Sequence, residues 1–498
     1  MMQNRFVKNI IFLLFLNLLV KPFWILGIDR EVQNLVGNAG DGGYGVFQAI
    51  FNFSYLFYIL LDMGITNFNN RNIAQNHQLL TKHFAGISQV KLFLGLVYAI
   101  VIFSIGIALG YRGFQLKLLA WCGLNQILLS FILYLRSNIS GLLMFKVDSF
   151  LSVFDRILAI IICSFLLWSG LFPRESFTTL HFAQAQTVAY SCTFIVALIV
   201  VLKHTGKLTF RINIPFFIMI LKQSLPFALL VLLMSFYSRL EPVLLERLLD
   251  DEGYQSGIYA QAYRLFDAGN NISNLFAVLL LPMFAAVIKQ GDDLKGLVRL
   301  SFSAIVAMAG IIAIMGIFYS DELMRLLYIQ GPAESAANYA SRMEQASRVF
   351  RLLMGSFFSL STTYVFGTLL TANGSLKQLN IIAAAGVGIN ILLNLLFIPM
   401  FKSTGAACTS LCVQGITAFA QYLISERLFK LRLGTGYWLH LVLFLGSICI
   451  CTWLVKMWVP NLYLSFAIGF GINVCLIFIT RLLRLKEIVS LVLPAKKR

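Results

Sequence analysis

Long apolar runs separated by short polar loops repeat along the whole chain. Most runs hold about 20 residues, the length that an α-helix needs to cross the hydrocarbon core of a bilayer. Lipid offers the backbone no hydrogen-bond partners, so these runs must be helical, and the short alternating strands of a membrane barrel are not seen. The pattern predicts an all-α, polytopic membrane protein with about 14 spans, at residues 8–28, 44–62, 83–109, 118–136, 149–171, 183–202, 214–238, 257–288, 299–319, 348–370, 379–399, 405–424, 437–458 and 461–480.

Basic residues concentrate in every second loop. If the N-terminus is cytoplasmic, the loops on that side hold most of the 39 lysines and arginines, and the opposite side carries acidic groups within 29–41 and 250–252. This bias follows the positive-inside rule and predicts that both termini lie in the cytoplasm.

The composition supports a membrane protein and excludes several classes of function. The chain is 59% hydrophobic and 12% charged, with a mean hydropathy of +0.82. Its net charge of +18 is explained by cytoplasmic loops, so it does not indicate nucleic acid. The eight cysteines have no metal-ligand spacing, and no phosphate-binding loop or nucleophile elbow is present. We therefore expect a protein that is not an enzyme and has no metal and no cofactor.

Four basic residues fall inside predicted spans, where loop placement does not explain them: Lys21, Lys91, Arg156 and Arg264. A charge at the bilayer centre costs roughly 2.5–3.5 kcal/mol on insertion scales, so such a residue faces water or a partner. For Lys91 we expect snorkelling to the cytoplasmic face, and for Arg156 a structural role, paired with Asp155 or with a neighbouring helix.

The remaining two cations are candidates for a water-filled cavity. Pro22 should bend the helix beside Lys21, although snorkelling of Lys21 to the outer headgroups is equally compatible with its position. Arg264 and Asp267 lie on one helix face and can pair, and Asn271 extends this polar stripe. The candidate cavity side chains are Lys21, Arg264, Asp267, Asn52, Arg239 and Asn271.

A weak internal similarity suggests two halves. Both the second and the eighth span open with a glycine and an aromatic residue, in 43–47 and 255–259, after an acidic loop. We predict an N-terminal lobe of six spans over 1–204, a C-terminal lobe of six over 205–430, and two appended spans with a basic tail over 431–498.

Three stretches resemble the polysaccharide flippases, the O-antigen or Wzx-like transporters of the multidrug/oligosaccharidyl-lipid/polysaccharide exporter superfamily. The first comprises Gly43-Tyr44-Gly45-Val46-Phe47, Leu61-Asp62-Met63-Gly64-Ile65 and Arg71-Asn72-Ile73-Ala74. The second is Gly257-Ile258-Tyr259-Ala260-Gln261-Ala262-Tyr263-Arg264-Leu265. The third is Asn390-Ile391-Leu392-Leu393-Asn394-Leu395-Leu396-Phe397-Ile398-Pro399 with Gly405-Ala406-Ala407.

The resemblance implies two six-helix lobes around a central cavity that opens to one side at a time. It implies a flippase in the bacterial inner membrane that moves an undecaprenyl-pyrophosphate-linked oligosaccharide from the cytoplasmic to the periplasmic leaflet, among membrane lipids, with Na⁺ or H⁺ as a coupling ion. Within it, Lys21 and Arg264 would accompany the pyrophosphate.

Three other functions stay open at this point. A lipid II flippase is favoured by the two additional spans, which also occur in that related group. A cation-coupled multidrug exporter would need acidic residues within the lobes, and the first span has none. A membrane glycosyltransferase or polymerase would need a long outer loop, and the polar stretch 320–347 is short for this purpose.

Overall fold

The computed structural model describes residues 19–40, 42–66, 69–70, 73, 76–170, 173, 176–205, 214–291, 294–331 and 334–483. At positions 214, 216–217, 219–227, 278 and 282 it describes the backbone only. Over these residues the chain is helical and contains no strand, which confirms the predicted all-α membrane class. It divides into two compact units, Met1–Ala260 and Gln261–Arg498. The predicted division at residues 204 and 430 stays a prediction.

The first unit contains nine helices described in full or in part and the start of a tenth. Helix α1 is described from residue 19 and includes a π-helical turn, Trp24–Asp29, before Arg30–Val36. The others are α2 (Tyr44–Leu56), α3 (Ile59–Asp62), α4 (Leu79–Ala108), α5 (Phe114–Gly141), α6 (Phe145–Trp168), α7 (Thr179–Leu202), α8 (Ile214–Arg239), α9 (Glu241–Leu248) and the beginning of α10 (Tyr254–Gln290).

The second unit contains the rest of α10 and six further helices among its described residues. They are α11 (Leu294–Phe318), α12 (Ser320–Leu327), α13 (Ala336–Ala372), α14 (Leu376–Phe429), α15 (Thr435–Trp458) and α16 (Leu462–Ile479). The polar stretch 320–347 contains α12 and the first part of the 37-residue α13.

Packing in the first unit joins α5 to α7 and α6 to α7. Small polar side chains tie these helices together, as is common in membranes where apolar surface alone gives no preference for a neighbouring helix. Asn125 on α5 donates to the carbonyl oxygen of Ala183 on α7 over 3.0 Å, and Thr187 donates to Asn125 Oδ1 over 2.7 Å.

The core of the second unit surrounds α11, which packs against α13, α15 and α16. Phe302 and Ile305 of α11 meet Phe366 of α13 and Phe444 of α15 in one buried apolar cluster. The two C-terminal helices are therefore an integral part of this unit. Polar contacts within the cluster, such as Tyr319 to Ser465 at 2.6 Å, fix their register.

Eleven of the described helices are long and apolar enough to cross a membrane, or twelve if the bent pair α8–α9 is one span. Two features separate this number from the predicted 14. Helix α14 runs through a non-helical residue, Lys402, and each of its two parts is longer than the roughly 20 residues of a span. Most of the predicted first span, 8–28, lies outside the described residues. The exact count of 14 stays a prediction.

The two glycine-aromatic motifs of the sequence contact each other. Gly45 N donates to Asn38 O over 3.0 Å, and Ser256 Oγ donates to Gly45 O over 3.1 Å. A Cβ on Gly45 would lie 1.9 Å from Gly253 O, and a Cβ on Gly257 would lie 2.5 Å from Asn38 Cβ. We call these five residues the glycine junction. Only glycine permits two backbones to approach so closely.

Candidate substrate site

Lys21 lies one residue before Pro22 and three before the π-helical turn of α1. Proline has no N–H to donate, so it removes one backbone bond from the helix, and such interruptions are a usual setting for π-helical turns. The expected disturbance of the helix is thus a local widening over Trp24–Asp29. Lys21 itself is half-buried, so the structure places it neither in full solvent nor in the core.

Arg156 on α6 is held among aromatic rings that belong to α1 and α7. Its guanidinium lies 5.3 Å from the ring centre of Trp24 on α1 and 5.8 Å from that of Tyr190 on α7. Trp24 in turn stacks on Phe182 at 5.6 Å. Arg156 Nε is 3.6 Å from Asp155 Oδ2, which confirms the predicted pairing of these neighbours. The aromatic faces hold the cation where bulk water would otherwise solvate it.

Arg239 lies at a bend of 50° between α8 and α9. Its Nη1 donates to Asn52 Oδ1 over 3.2 Å, and its guanidinium lies 4.3 Å from the ring centre of Tyr55. Tyr55 stacks on Tyr58 at 5.4 Å. Asn52 is only 1% exposed, and its amide nitrogen donates to Gln48 O, so the carbonyl end is directed to the arginine. Two predicted cavity residues, Asn52 and Arg239, are therefore partners.

We call Asn52, Tyr55, Tyr58 and Arg239 the arginine–tyrosine cluster. It combines a fixed guanidinium, which suits the oxygens of a phosphate, with two stacked aromatic faces. Its half-buried members leave part of the cluster accessible. Such a surface can bind a ligand that has both an anionic and a flat or ring-shaped part.

The second unit holds the other predicted candidates. Arg264 is 5% exposed; its Nη1 donates to the hydroxyl of Tyr328 over 3.1 Å, and that hydroxyl donates to Gln261 O over 3.0 Å. Asp267 instead accepts from Asn271, whose Nδ2 lies 2.8 Å from the Asp267 carbonyl oxygen and 3.4 Å from Oδ2. An ion pair between Arg264 and Asp267 is not among the contacts shown by the described residues. Tyr328, 64 residues away in the chain, is a partner of Arg264 that the sequence did not indicate, and pairing of Arg264 with Asp267 stays a prediction.

The remainder of the polar stripe on α10 faces helix α13. Tyr364 donates to Asn270 Oδ1 over 2.8 Å, and the hydroxyls of Ser273 and Ser361 are 2.8 Å apart. Part of the stripe therefore joins two helices and is not available to a ligand. This agrees with the expectation that so polar a face meets water or another helix.

The prediction for Lys91 is wrong. Lys91 is buried, and its Nζ donates over 3.0 Å both to Asp62 Oδ1 and to the carbonyl oxygen of Leu61. Snorkelling would have required the ammonium group to reach the membrane surface. The sequence did show a possible partner for Lys91, because the acidic Asp62 ends the predicted second span. Only the fold brings Asp62 next to Lys91.

The charged groups of both units are organised by pairing and not by metal ligation. Among the described residues, no group of three or more histidine, cysteine, aspartate or glutamate side chains is arranged to hold a metal ion. The candidate residues described above are basic side chains, aromatic rings, amides and the carboxylate of Asp267.

Comparison with known proteins decides the family. Residues 6–288, more than half of the chain, match the family described as "Polysaccharide biosynthesis protein". The chain belongs to this family. A comparison with curated proteins gives no significant match.

Solved structures show the fold of this polysaccharide biosynthesis family member. The lipid II flippase MurJ in an inward closed conformation is 15% identical, with 95% of this chain and 98% of MurJ covered and a TM-score of 0.67. An inward-facing multidrug resistance MATE family transporter of the MOP superfamily is 12% identical, with coverages of 82% and 99% and a TM-score of 0.61. A MOP superfamily transporter from Pyrococcus furiosus, described by a reverse polarity of its binding pocket, is 13% identical, with coverages of 85% and 94% and a TM-score of 0.55. The chain has the fold of these transporters.

Proposed function

We propose that the protein is a flippase for an oligosaccharide linked to undecaprenyl pyrophosphate, which it carries from the cytoplasmic to the periplasmic leaflet by alternating access. The family, which is one of polysaccharide biosynthesis proteins, and the fold, which is shared with a lipid II flippase, support a lipid-linked saccharide as the cargo. The cargo would be a repeat unit of O-antigen or of another surface polysaccharide. In this proposal the protein lies in the bacterial inner membrane with both termini in the cytoplasm.

The arginine–tyrosine cluster carries this proposal. A pyrophosphate that crosses the low-dielectric part of a membrane loses its hydration, and a guanidinium with several N–H donors offsets that loss. Sugar rings present apolar faces that can rest on aromatic side chains such as the stacked pair Tyr55 and Tyr58. Arg239 is held in place by Asn52 before any ligand arrives, so little conformational entropy is lost on binding.

Each unit also holds further candidate residues of its own. Lys21 and Arg156 lie near Trp24 in the first unit, and Arg264, Asp267 and Asn271 belong to the second. We propose that all of them accompany the anionic headgroup at different stages of its passage. Among these candidates, the charge of Arg264 has lost the most hydration, because its side chain is almost fully buried.

The experiment is a flipping assay in proteoliposomes that contain a fluorescent undecaprenyl-pyrophosphate oligosaccharide. Quenching of outer-leaflet fluorescence by a membrane-impermeant reductant measures transfer between leaflets. We expect Arg239→Gln to slow transfer roughly 10- to 150-fold, the loss of one charge-assisted hydrogen bond of about 1.5–3 kcal/mol in the rate-limiting complex. Arg239→Lys should retain part of the rate, because it keeps the charge but not the fork of donors.

Arg348→Gln is the matched control. It removes the same charge, but its side chain is 58% exposed and pairs with the exposed Glu344. We expect a rate within about twofold of the parent protein, since exposed pairs contribute little. Absence of transfer by the parent protein, or equal rates for Arg239→Gln and Arg348→Gln, would refute the proposal.

A lipid II flippase is the second candidate function. The observation that favours it is the alignment of 95% of this chain with 98% of MurJ. Lipid II also carries a pyrophosphate and sugars, so the same cluster would suit it. The two cargoes are distinguished by offering each labelled lipid in separate vesicles. Faster transfer of lipid II than of every polysaccharide precursor would replace the first proposal by the second.

The multidrug exporter is less compatible with the described charges. An organic cation needs an accessible acidic group. Asp62 and Asp155 are both paired with basic side chains, and Asp267 lies one helical turn from the basic Arg264. Drug efflux by the reconstituted protein would contradict this interpretation.

A further inference from the structure

The span 44–62 is not a continuous helix. Helix α2 ends at Leu56, Phe57 departs from helical geometry, and the short α3 covers only Ile59–Asp62. The backbone then turns through two residues of positive φ, Met63 at 44° and Gly64 at 81°. A helix that stops this abruptly inside the protein leaves carbonyl oxygens to be satisfied by groups other than its own amides.

Lys91 satisfies this helix end. Its Nζ lies 3.0 Å from Leu61 O and 3.0 Å from Asp62 Oδ1, and Ser130 Oγ donates to the same Leu61 carbonyl oxygen over 3.1 Å. A backbone carbonyl at the end of a broken helix, together with a carboxylate, is the arrangement in which many transporters bind their coupling ion. In this protein the ammonium group of the Lys91 side chain occupies the position that the ion takes in those transporters.

The pair lies at membrane depth. Lys91 is 12 residues from the start of α4 at Leu79 and 17 from its end at Ala108. At a rise of about 1.5 Å per residue these separations are roughly 18 and 26 Å. For a helix of this length centred on a hydrocarbon core of about 30 Å, Lys91 lies roughly 11 Å inside the edge of the core.

Only one member of the pair is accessible. The side chain of Lys91 is 0% exposed, whereas that of Asp62 is 17% exposed. A proton that arrives from water therefore meets the carboxylate, with the ammonium sealed behind it.

Among the groups around the pair, Asp62 is the one that compensates the positive charge of Lys91. Thr66 donates to the carboxylate through its N–H and its hydroxyl, and Tyr58 lies within electrostatic range of it. From α5, Tyr134 presents its ring 5.9 Å from Lys91 Nζ, beside Ser130. Tyr190 of α7 interacts with Tyr58, and Arg239 at the end of α8 approaches the neighbouring Tyr55. Of these groups, Asp62 is the one carboxylate, and it pairs with the ammonium group.

We propose that Asp62 and Lys91 form the proton-coupling site of the transporter. This inference rests on the proposed flippase function. A proton from water adds to an Asp62 oxygen and forms one O–H bond, and no covalent bond of the protein breaks. The net charge of the Asp62–Lys91 pair changes from 0 to +1. The protonated carboxyl no longer holds the ammonium, so the contact between α3 and α4 loosens. Release of the proton restores it, and an anionic cargo that travels with this extra positive charge has a smaller net charge to move.

The transport experiment uses proteoliposomes with the labelled lipid-linked oligosaccharide and an imposed pH gradient. We expect the gradient to change the transfer rate of the parent protein at least fivefold. Asp62→Asn and the apolar double variant Asp62→Leu/Lys91→Met should respond to the gradient less than about 1.5-fold. Asp148→Asn is the control, because it disrupts another pair of this unit, Arg136–Asp148 at 2.8 Å, and should keep the full response.

A second measurement separates this inference from the proposed function. Infrared difference spectra of the purified protein between neutral and acidic pH should show a carboxylic acid band that Asp62→Asn lacks and Asp148→Asn retains. A gradient response retained by the apolar double variant, transfer by the parent protein without any response, or the same band in Asp62→Asn would each overturn the proton site. Absence of transfer alongside the Asp62-dependent band would instead refute the flippase function and leave the proton site standing.

Discussion

Replacing Gly45 by alanine tests the glycine junction directly. The added Cβ would lie 1.9 Å from Gly253 O and 2.7 Å from Asn38 O, whereas Cβ atoms in proteins keep at least 3.0 Å from such neighbours. The backbone must therefore shift by about 1.1 Å, and no side-chain rotation can relieve the contact, because both neighbours are backbone atoms. Overpacking of this kind costs about 1–3 kcal/mol, and weakening of the Gly45 N to Asn38 O bond adds about 1 kcal/mol.

A total of about 3 kcal/mol corresponds to a decrease in Tm of roughly 6–12 °C for a unit of this size. The measurement is thermal unfolding of the detergent-purified protein, followed as loss of the monodisperse species. Gly42→Ala is the matched control: it lies three residues away, and a Cβ there meets nothing within 4 Å. Its Tm should stay equal or rise slightly, since alanine restricts the unfolded chain. Equal Tm values for the two variants would refute the close backbone approach.

Three smaller predictions follow from single features of the second unit. Lys402→Gly should raise the Tm by a few degrees, because the lysine adopts a φ of 55° and ψ of −134° that costs about 1 kcal/mol, and an unchanged or lower Tm would contradict that strain. Burial raises the pKa of Glu334, but the hydrogen bonds from Arg342 and the Gly331 N–H outweigh it and hold the pKa below 4.5. The stabilisation of about 1 kcal/mol from this contact is therefore present above pH 4.5 and lost as the pH falls through the lower folded pKa, and Glu334→Gln should remove this pH dependence from the unfolding curve. Asn473→Leu should cost only about 0.6 kcal/mol, the usual value for an interhelical bond in a membrane, and a cycle with Thr452→Val measures it.

Span positions followed closely from hydropathy. The predicted 83–109 corresponds to Leu79–Ala108, and the predicted 437–458 corresponds to Thr435–Trp458. Burial in lipid imposes a length and a helical backbone on each span independently of its neighbours, so local sequence is sufficient. Breaks within spans were less visible. The end of α3 at Asp62 and the non-helical Lys402 coincide with predicted span limits, at 62 and between 399 and 405, whereas the interruption at Phe57 inside the span 44–62 gave little local signal.

The sequence indicated which polar residues lie within the spans more reliably than it indicated which residues they contact. Asn52 and Arg239 were selected because they were polar in apolar surroundings, and they contact each other across 187 residues of chain. Arg264 is identified for the same reason; the structure adds Tyr328 as a partner, and its pairing with Asp267 stays a prediction. Lys91 was dismissed, since a lysine one-third of the way into a span can equally snorkel or be buried.

The sequence by itself determined that this chain is a helical membrane protein, which residues carry charge at depth, and, through its glycine-aromatic and asparagine motifs, the family to which it belongs. Tertiary structure alone decided which distant residues contact each other. Lys91 contacts the broken helix end at Asp62, Arg239 contacts Asn52 and Tyr55, and Gly45 contacts Gly253. The physical reason is the range of the forces involved. Transfer into lipid acts on each segment separately, whereas a hydrogen bond or ion pair requires two side chains to come within about 3 Å, and that distance depends on how distant helices pack.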